Sequence, residues 1–199
     1  MAILSAIKDE MFWHIDCNIV MMYKRDFDAI QESEVYQMFR EMRLGKQLLS
    51  MEDTVAVMDR CTNGALACLG DEDYPYSVPL SYVYFNGKIY FHSAKAGHKI
   101  DAITKNPKVS FSVIDEDTIV SIEYTTYFRS VIAFGKARIV EGDEWLEAFE
   151  ALVEKYSGDQ PEEAKHKEIT GCTQAYIIAI DIEHITGKEA IEYVNAKRK

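Results

Sequence analysis

The 199-residue sequence lacks the cysteine spacing on which structural zinc sites are built. Its four cysteines form no C-x-x-C pair, and no two histidines stand at metal-ligand spacing with carboxylates. We therefore expect no metal site. The cysteine spacing also suggests no disulfide framework, so we expect reduced thiols and a cytoplasmic protein.

The chain is also short of positive charge and of long apolar runs. It carries 33 acidic and 22 basic residues, a net charge of -11, and so lacks the broad basic surface that nucleic-acid binding requires. Residues 11–23 form an apolar segment that is interrupted by His14, Asp16 and Asn18. This segment is too short and too polar to span a bilayer, and no signal-peptide cleavage site follows it. We expect neither nucleic acid nor membrane as a partner.

Two common catalytic signatures are missing as well. The sequence has no glycine-rich P-loop and no G-x-S-x-G nucleophile elbow. We therefore assign no catalytic residue from the sequence.

The most informative stretch, residues 77–101, predicts a β-hairpin that leads into a helix. Asn86-Gly87 favours a two-residue turn, because both residues tolerate a positive φ. The strand before the turn, residues 78–85, alternates so that one face carries Val78, Leu80, Tyr82 and Tyr84. The strand after it, residues 88–93, is rich in Ile, Tyr and Phe, which favour pleated surfaces.

Positive charge is concentrated at the end of this hairpin. Residues 88–108 contain five lysines and two histidines, with Asp101 as their only acid. Backbone N–H groups at a helix N-terminus bind anions readily, and the side chains of Ser93, Lys95, His98 and Lys99 would add donors. The pattern predicts a phosphate cradle. It is also compatible with a solvated basic surface on an edge hairpin.

The rest of the chain predicts a mainly β (α+β) fold. Ser50 begins a capping box that ends at Asp53, Gly135 suggests a bulge within a long strand, and residues 143–156 have the period of an amphipathic helix. We predict a turn at residues 115–117 and a last strand at residues 175–182. About six strands joined by short turns favour a small antiparallel barrel with peripheral helices.

Two domains are predicted. Residues 1–40 form an N-terminal helical extension, which could face a partner subunit, cover a pocket or have little role in the site. Residues 41–199 form the barrel domain.

Two motifs indicate a family. VPLSYVYFNGKIYFHSAKAGHKIDAITKNPKVSFSV, followed by TTYFRSVIAFGKARIV, resembles the flavin-binding split-barrel proteins related to pyridoxamine 5′-phosphate oxidase, in particular the 5-nitroimidazole resistance (Nim) branch. The resemblance covers residues 42–194. It implies a six-stranded split β-barrel and a homodimer that holds FMN in the groove between its subunits.

The resemblance also implies which residues hold the cofactor. Residues 78–82 would line the isoalloxazine ring, residues of the 92–99 segment would hold the ribityl phosphate, and residues near Arg129 would reach the same pocket from the partner chain. The implied FMN-binding residues are Val78, Pro79, Leu80, Ser81, Tyr82, His92, Ser93, Ala94, Gly97, His98, Lys99, Tyr127, Arg129 and Ser130.

The function implied is that of an FMN-dependent oxidoreductase of the nitroreductase or flavin-reductase type. It would pass electrons from a reduced nicotinamide or another donor to a small aromatic or quinone-like acceptor. The sequence shows no nicotinamide-binding signature, so a flavin- or haem-binding protein without turnover is the alternative, with His92 or His98 as a haem ligand. A pyridoxamine-phosphate oxidase proper is a third option.

Overall fold

The computed structural model describes residues 38–172 and 175–198. The chain divides into two compact units, residues 1–42 and 43–199. The predicted helical extension over residues 1–40 lies almost entirely outside the described residues, and residues 38–42 contain no helix or strand.

The described residues of the second unit form seven strands and five α-helices, besides three short 3-10 helices. The strands are β1 (Asn63–Leu69), β2 (Pro75–Ser81), β3 (Val83–Phe85), β4 (Lys88–Ala94), β5 (Lys108–Val120), β6 (Thr125–Val140) and β7 (Ala175–Glu189). The helices are α1 (Met51–Arg60), α2 (His98–Lys105), α3 (Gly142–Ser157), α4 (Glu162–Gly171) and α5 (Ile191–Ala196). None of the helices in the described part of the chain is long and apolar enough to cross a membrane.

The strands form one antiparallel sheet in the order β2-β1-β5-β6-β7-β4-β3. The two outermost strands, β2 and β3, are consecutive in the chain and are separated only by Tyr82. The sheet must therefore curl until its two edges meet at this residue. This arrangement is the split barrel that the sequence predicted.

The strand count differs from the prediction of six. The predicted strand over residues 78–85 is divided at Tyr82, because its first part pairs with β1 and its second part pairs with β4. The predicted face is confirmed: Tyr82 is fully buried in the barrel core, and Val78, Leu80 and Tyr84 pack against that core.

Two clusters of apolar side chains fill the structure. The first lies inside the curled sheet, where Val57 and Met58 of α1 and Ile100 and Ile103 of α2 join the strands. The second lies between α3 and the opposite face of the sheet and includes Phe149. Helix α2, which begins beside the predicted cradle, is thus anchored to the barrel by its apolar side.

Local signals explain where several elements begin and end. The side chain of Ser50 accepts a hydrogen bond from the Asp53 backbone N–H at 3.0 Å and caps α1, as predicted. Helix α2 ends before Pro107, which disfavours a helical conformation of the preceding residue. The predicted bulge at Gly135 is confirmed by a register shift between β6 and β7.

Two predicted boundaries are wrong. Residues 115–117 lie within β5 and form no turn, and the chain reverses instead at residues 121–124. Asp115 sits at a bulge in β5, where two arginine side chains neutralise its carboxylate. Strand β7 continues seven residues beyond residue 182, because residues 177–189 pair with residues 129–140 of β6.

Candidate functional site

The candidate site is built on the free edge of β2 and on the segment between β4 and α2. Among the described strands β2 pairs only with β1, so backbone groups on its other side are not used within the sheet. Pro75 and Pro79 are compatible with this position, because proline has no N–H to donate. The side chains of Pro79 and Ser81 are exposed, whereas those of Val78 and Leu80 point toward the core.

The N-terminus of α2 supplies free N–H donors. Gly97 precedes the helix with a φ of 126°, a conformation that favours glycine. Its carbonyl oxygen accepts hydrogen bonds from the N–H groups of Ile100 and Asp101. The N–H groups of His98 and Lys99 have no partner inside the helix, as in any first helical turn. A Cβ on Gly97 would meet no atom within 4 Å, so the space beside Gly97 is open.

Two lysines flank this helix start without a carboxylate partner among the described residues. Lys95 is exposed, and its Nζ lies 5.7 Å from the centre of the Tyr176 ring. Lys99 is half-buried in the first turn of α2 and makes no ion pair with a described residue. Their charge is available to an anion that binds at the helix N-terminus.

His98 connects the cradle to the β1–β2 turn. Its ring lies 4.1 Å from the Tyr76 ring, centre to centre, and its Nε2 lies 3.8 Å from Oδ2 of Asp71. Gly70 makes this contact possible, because a Cβ there would approach Nε2 to 2.8 Å. The side chain of His98 therefore fixes the position of α2 relative to β2. Its predicted contact with a phosphate stays a prediction.

His92 and Ser93 point to opposite faces of β4, since successive side chains in a strand alternate. Ser93 is buried, and its hydroxyl donates to the carbonyl oxygen of Ala94 at 3.0 Å. His92 is exposed on the face that α3 partly covers. The two side chains therefore lie on different faces of the strand, and their predicted contacts with a phosphate stay predictions.

His92 and Ser81 instead both line a cavity of about 330 Å³ between the sheet and α3. The structure thus brings together two predicted site residues from different strands. The other lining residues are Phe149, Leu152, Val153, Tyr156, Ser157, Glu168 and Cys172.

Lys155 and Tyr156 of α3 both contact Tyr82. The sequence did not predict a role for either residue. The Nζ of Lys155 donates to the carbonyl oxygen of Cys61 at 2.7 Å and lies 4.5 Å from the centre of the Tyr82 ring. Burial lowers the pKa of Lys155 and raises that of Tyr82. No local pattern marks these residues, because their contacts lie far away in the sequence.

Arg129 does not lie near the cradle within one protomer. It pairs in register with Glu189, whereas His92 pairs with Ile177, twelve residues away along β7. Its guanidinium donates to Asp115 at 3.0 Å and lies 3.6 Å from Glu116 and 3.8 Å from Glu189. Hydrogen bonds from Arg60 first, and from Arg129, keep the pKa of Asp115 below its ordinary value.

The neighbours of Arg129 are therefore carboxylates of its own chain. Tyr127 and Ser130 lie on the same stretch of β6, so the structure separates all three predicted residues from the 92–99 segment of their own chain. The predicted contact of these three residues with a cofactor held by the partner chain stays a prediction.

The donor set near α2 fits a phosphorylated flavin. Two lysines and the helix N-terminus match a phosphate, and the unpaired edge of β2 offers backbone groups to a planar heterocycle. Among the described residues no cluster of His, Cys, Asp and Glu has the arrangement of a metal site.

Comparison with known proteins agrees with this reading of the fold. A sequence profile of the pyridoxamine 5′-phosphate oxidase family matches residues 50–189. A candidate 5-nitroimidazole antibiotic resistance protein from Bacteroides thetaiotaomicron has a similar structure, with a TM-score of 0.60, 20% identity and coverage of 71% of this chain and 86% of that chain.

Two mycobacterial structures are similar as well. A conserved hypothetical protein from Mycobacterium tuberculosis has a TM-score of 0.65 and 22% identity, over 75% of this chain and 90% of that chain. The FAD- and haem-binding protein from Mycobacterium smegmatis has a TM-score of 0.59 and 18% identity, over 75% of this chain and 80% of that chain.

Proposed function

Because this chain belongs to the pyridoxamine 5′-phosphate oxidase family, we propose that it is an FMN-dependent oxidoreductase of the nitroreductase or flavin-reductase type. The observation that carries this proposal is the pair of lysines, Lys95 and Lys99, that flank the open N-terminus of α2 beside an unpaired strand edge. The proposed acceptor is a small aromatic compound, and a nitroimidazole is the first candidate.

Each part of the site has a role in this proposal. The side chain of Lys99 and the first N–H groups of α2 hold the phosphate, and Lys95 adds positive charge. The edge of β2 orients the ring system through backbone groups. The bound flavin supplies the redox chemistry, and the protein supplies binding, orientation and electrostatics.

The cavity lined by Ser81 and His92 offers room for the acceptor. Its volume of about 330 Å³ exceeds that of a single aromatic ring, and its walls combine apolar side chains with a few polar ones. Ser81 lies at the end of β2, so an acceptor in this cavity would lie beside the strand that orients the flavin.

A homodimer completes the proposed site. Tyr127, Arg129 and Ser130 lie far from the cradle of their own chain, so we assign their contact with the flavin to the other subunit. In that position the hydroxyl of Ser130 and the backbone of β6 would meet the exposed side of the cofactor. Arg129 already faces Asp115, Glu116 and Glu189 of its own chain, so its role in the proposed dimer is to hold this part of β6 in place.

The test is the absorbance spectrum of the purified protein with FMN, recorded before and after addition of NADPH and NADH without oxygen. The proposal predicts flavin bands that bleach with a reductant and return when a nitroimidazole is added. Flavin that stays oxidised with both nicotinamides but is reduced by dithionite would indicate a carrier or another electron donor. A protein that leaves the spectrum of free FMN unchanged would contradict the proposal.

A second candidate function is flavin or haem binding without turnover. It is supported by the exposed imidazole of His92 beside a cavity, and by the similar fold of the mycobacterial protein that binds FAD and haem. Haem titration distinguishes the two functions. A strong Soret band that His92→Ala removes and His166→Ala leaves intact would favour haem at this cavity.

A further inference from the structure

The cavity proposed for the acceptor combines an apolar wall with a few polar groups. Phe149 and Leu152 of α3 are buried, and Val153 beside them is half-buried. The remaining lining includes three hydroxyl groups and the imidazole of His92. An aromatic ring can therefore pack on the apolar wall, while its polar substituents reach hydrogen-bonding groups.

Glu168 gives this cavity a negative charge. It is the only carboxylate among the described lining residues, which include no lysine and no arginine. Glu168 lies on α4, is exposed and makes no ion pair with a described residue. Within the described part of the chain, no basic side chain neutralises this charge before a ligand enters.

A second cavity, of about 430 Å³, adjoins the first at Val153, which lines both. Four glutamates line this second cavity: Glu147, Glu150, Glu154 and Glu162. Lys165 neutralises two of them, since its Nζ lies 2.9 Å from Glu154 and 2.6 Å from Glu162. Glu147 and Glu150 have no basic partner among the described residues, so they add to the negative potential near Val153.

The two helices that carry these glutamates are acidic as a whole. Residues 141–170, which contain α3 and almost all of α4, hold ten acids and three lysines. A concave surface lined by one sign of charge concentrates the electrostatic potential. The cradle at α2 has the opposite sign, through Lys95 and Lys99. The protein thus separates a positive site from a negative one.

We propose that the cavity selects neutral or cationic aromatic acceptors and disfavours anionic ones, with Glu168 as the residue that determines this preference. An anionic acceptor would lose hydration on entry and meet an unpaired carboxylate. A neutral acceptor of the same shape would meet the same apolar wall without this repulsion. The inference rests on the proposed function in taking this cavity as the acceptor site. It adds the charge class of the acceptor and the residue that sets it.

Two nitroaromatic compounds of nearly equal shape test the preference. The compound para-nitrobenzamide is neutral, and para-nitrobenzoate carries one negative charge. Their dissociation constants are measured by isothermal titration calorimetry on the purified protein with FMN and without a nicotinamide, so that no turnover occurs. We expect the neutral compound to bind about tenfold more tightly at low salt, and the ratio to fall as the salt concentration rises.

Substitutions on α4 separate a local effect from an effect of net charge. Glu168→Gln should strengthen binding of para-nitrobenzoate about threefold, and Glu168→Lys about tenfold, because the unpaired carboxylate is removed or reversed. Neither substitution should change the affinity for para-nitrobenzamide more than about twofold. Glu163→Gln is the control, since Glu163 is exposed on the same helix and lies outside the cavity lining. This control makes the same change in net charge as Glu168→Gln and should alter neither affinity.

Equal binding of the two compounds by the wild type, binding of neither, or the same effect from Glu163→Gln as from Glu168→Gln would overturn the inference. Bleaching of the bound flavin by a nicotinamide, measured on the same samples, reports the proposed function separately. Selective binding without bleaching preserves the inference and counts against the proposed function. Bleaching followed by reduction of both compounds with equal KM does the reverse.

Discussion

The hydroxyl oxygen of Tyr156 lies 2.9 Å from the backbone nitrogen of Tyr82 and 2.8 Å from its carbonyl oxygen. The same hydroxyl also contacts the carbonyl oxygen of Thr62. One side chain of α3 therefore forms hydrogen bonds with backbone N–H and C=O groups at the corner where the chain passes from β2 to β3. This corner joins the two edges of the curled sheet and lies next to the candidate site.

Removing this hydroxyl leaves backbone groups at the corner without a partner. We expect Tyr156→Phe to lower the free energy of unfolding by about 1–3 kcal/mol, measured by urea denaturation. Tyr124→Phe is the control, because Tyr124 is 97% exposed, and it should change stability by less than about 0.5 kcal/mol. Equal stability of the two variants would show that the corner does not depend on Tyr156.

Gly135 allows two backbones to approach each other closely. A Cβ at this position would lie 2.2 Å from the carbonyl oxygen of Asp181, which belongs to the neighbouring strand and cannot move freely. Gly135→Ala should therefore cost about 2–3 kcal/mol in thermal or urea unfolding. A Cβ at Gly171 would meet no atom within 4 Å, so Gly171→Ala should leave the free energy of unfolding unchanged or slightly raised.

Glu144 connects α3 to the sheet through ion pairs with Lys88 and Arg138. Hydrogen bonds from Arg138 first, and then from Lys88 and Tyr90, lower the pKa of Glu144 from 4.5 to about 2. A lowered folded-state pKa contributes stability that is present above pH 4.5 and is lost as the pH falls toward 2.

Glu144→Gln should accordingly be about 1 kcal/mol less stable than the wild type at pH 7, after allowance for solvent screening. The difference in unfolding free energy between this variant and the wild type should shrink as the pH falls from 4.5 to 2. Glu147→Gln, on an exposed position of the same helix, is the control. A difference that stays constant down to pH 2 would contradict the assigned role of the ion pairs.

Lys99 tests the phosphate cradle. Lys99→Ala should weaken FMN binding at least about tenfold in a flavin-fluorescence titration, because a charged donor to the phosphate is lost. Riboflavin, which has no phosphate, should bind the variant and the wild type equally. Lys167→Ala, an exposed lysine on α4, should change neither affinity. An equal loss for FMN and riboflavin would place Lys99 away from the phosphate.

The fold could be predicted from the sequence where local chemistry decides it. The alternation around Tyr82, the Ser50 cap, the break at Pro107 and the bulge at Gly135 all follow from properties of residues close in the chain. The error at Asp115 has a physical reason. A run of acids is typical of a turn, but here Arg60, 55 residues away in the chain, neutralises the carboxylate inside a strand.

The candidate site was predictable only in part. Positive charge next to a helix start indicated the cradle, and the structure places Lys95 and Lys99 there without described acidic partners. Tyr156 and Tyr82 are 74 residues apart in the sequence, so no local sequence pattern predicts their contact. The side chains of His92 and Ser93 point in opposite directions because successive residues of a strand alternate between its faces. A sequence motif lists the two residues side by side and does not show this difference.

The measurement that tests the central claim most directly is a titration of the purified wild-type protein with FMN and, separately, with riboflavin. If the N-terminus of α2 and its lysines hold the phosphate, FMN should bind at least about tenfold more tightly than riboflavin. The preference should weaken as the salt concentration rises, because counterions screen the lysines. Equal affinities for the two flavins, or no binding of either, would contradict the account.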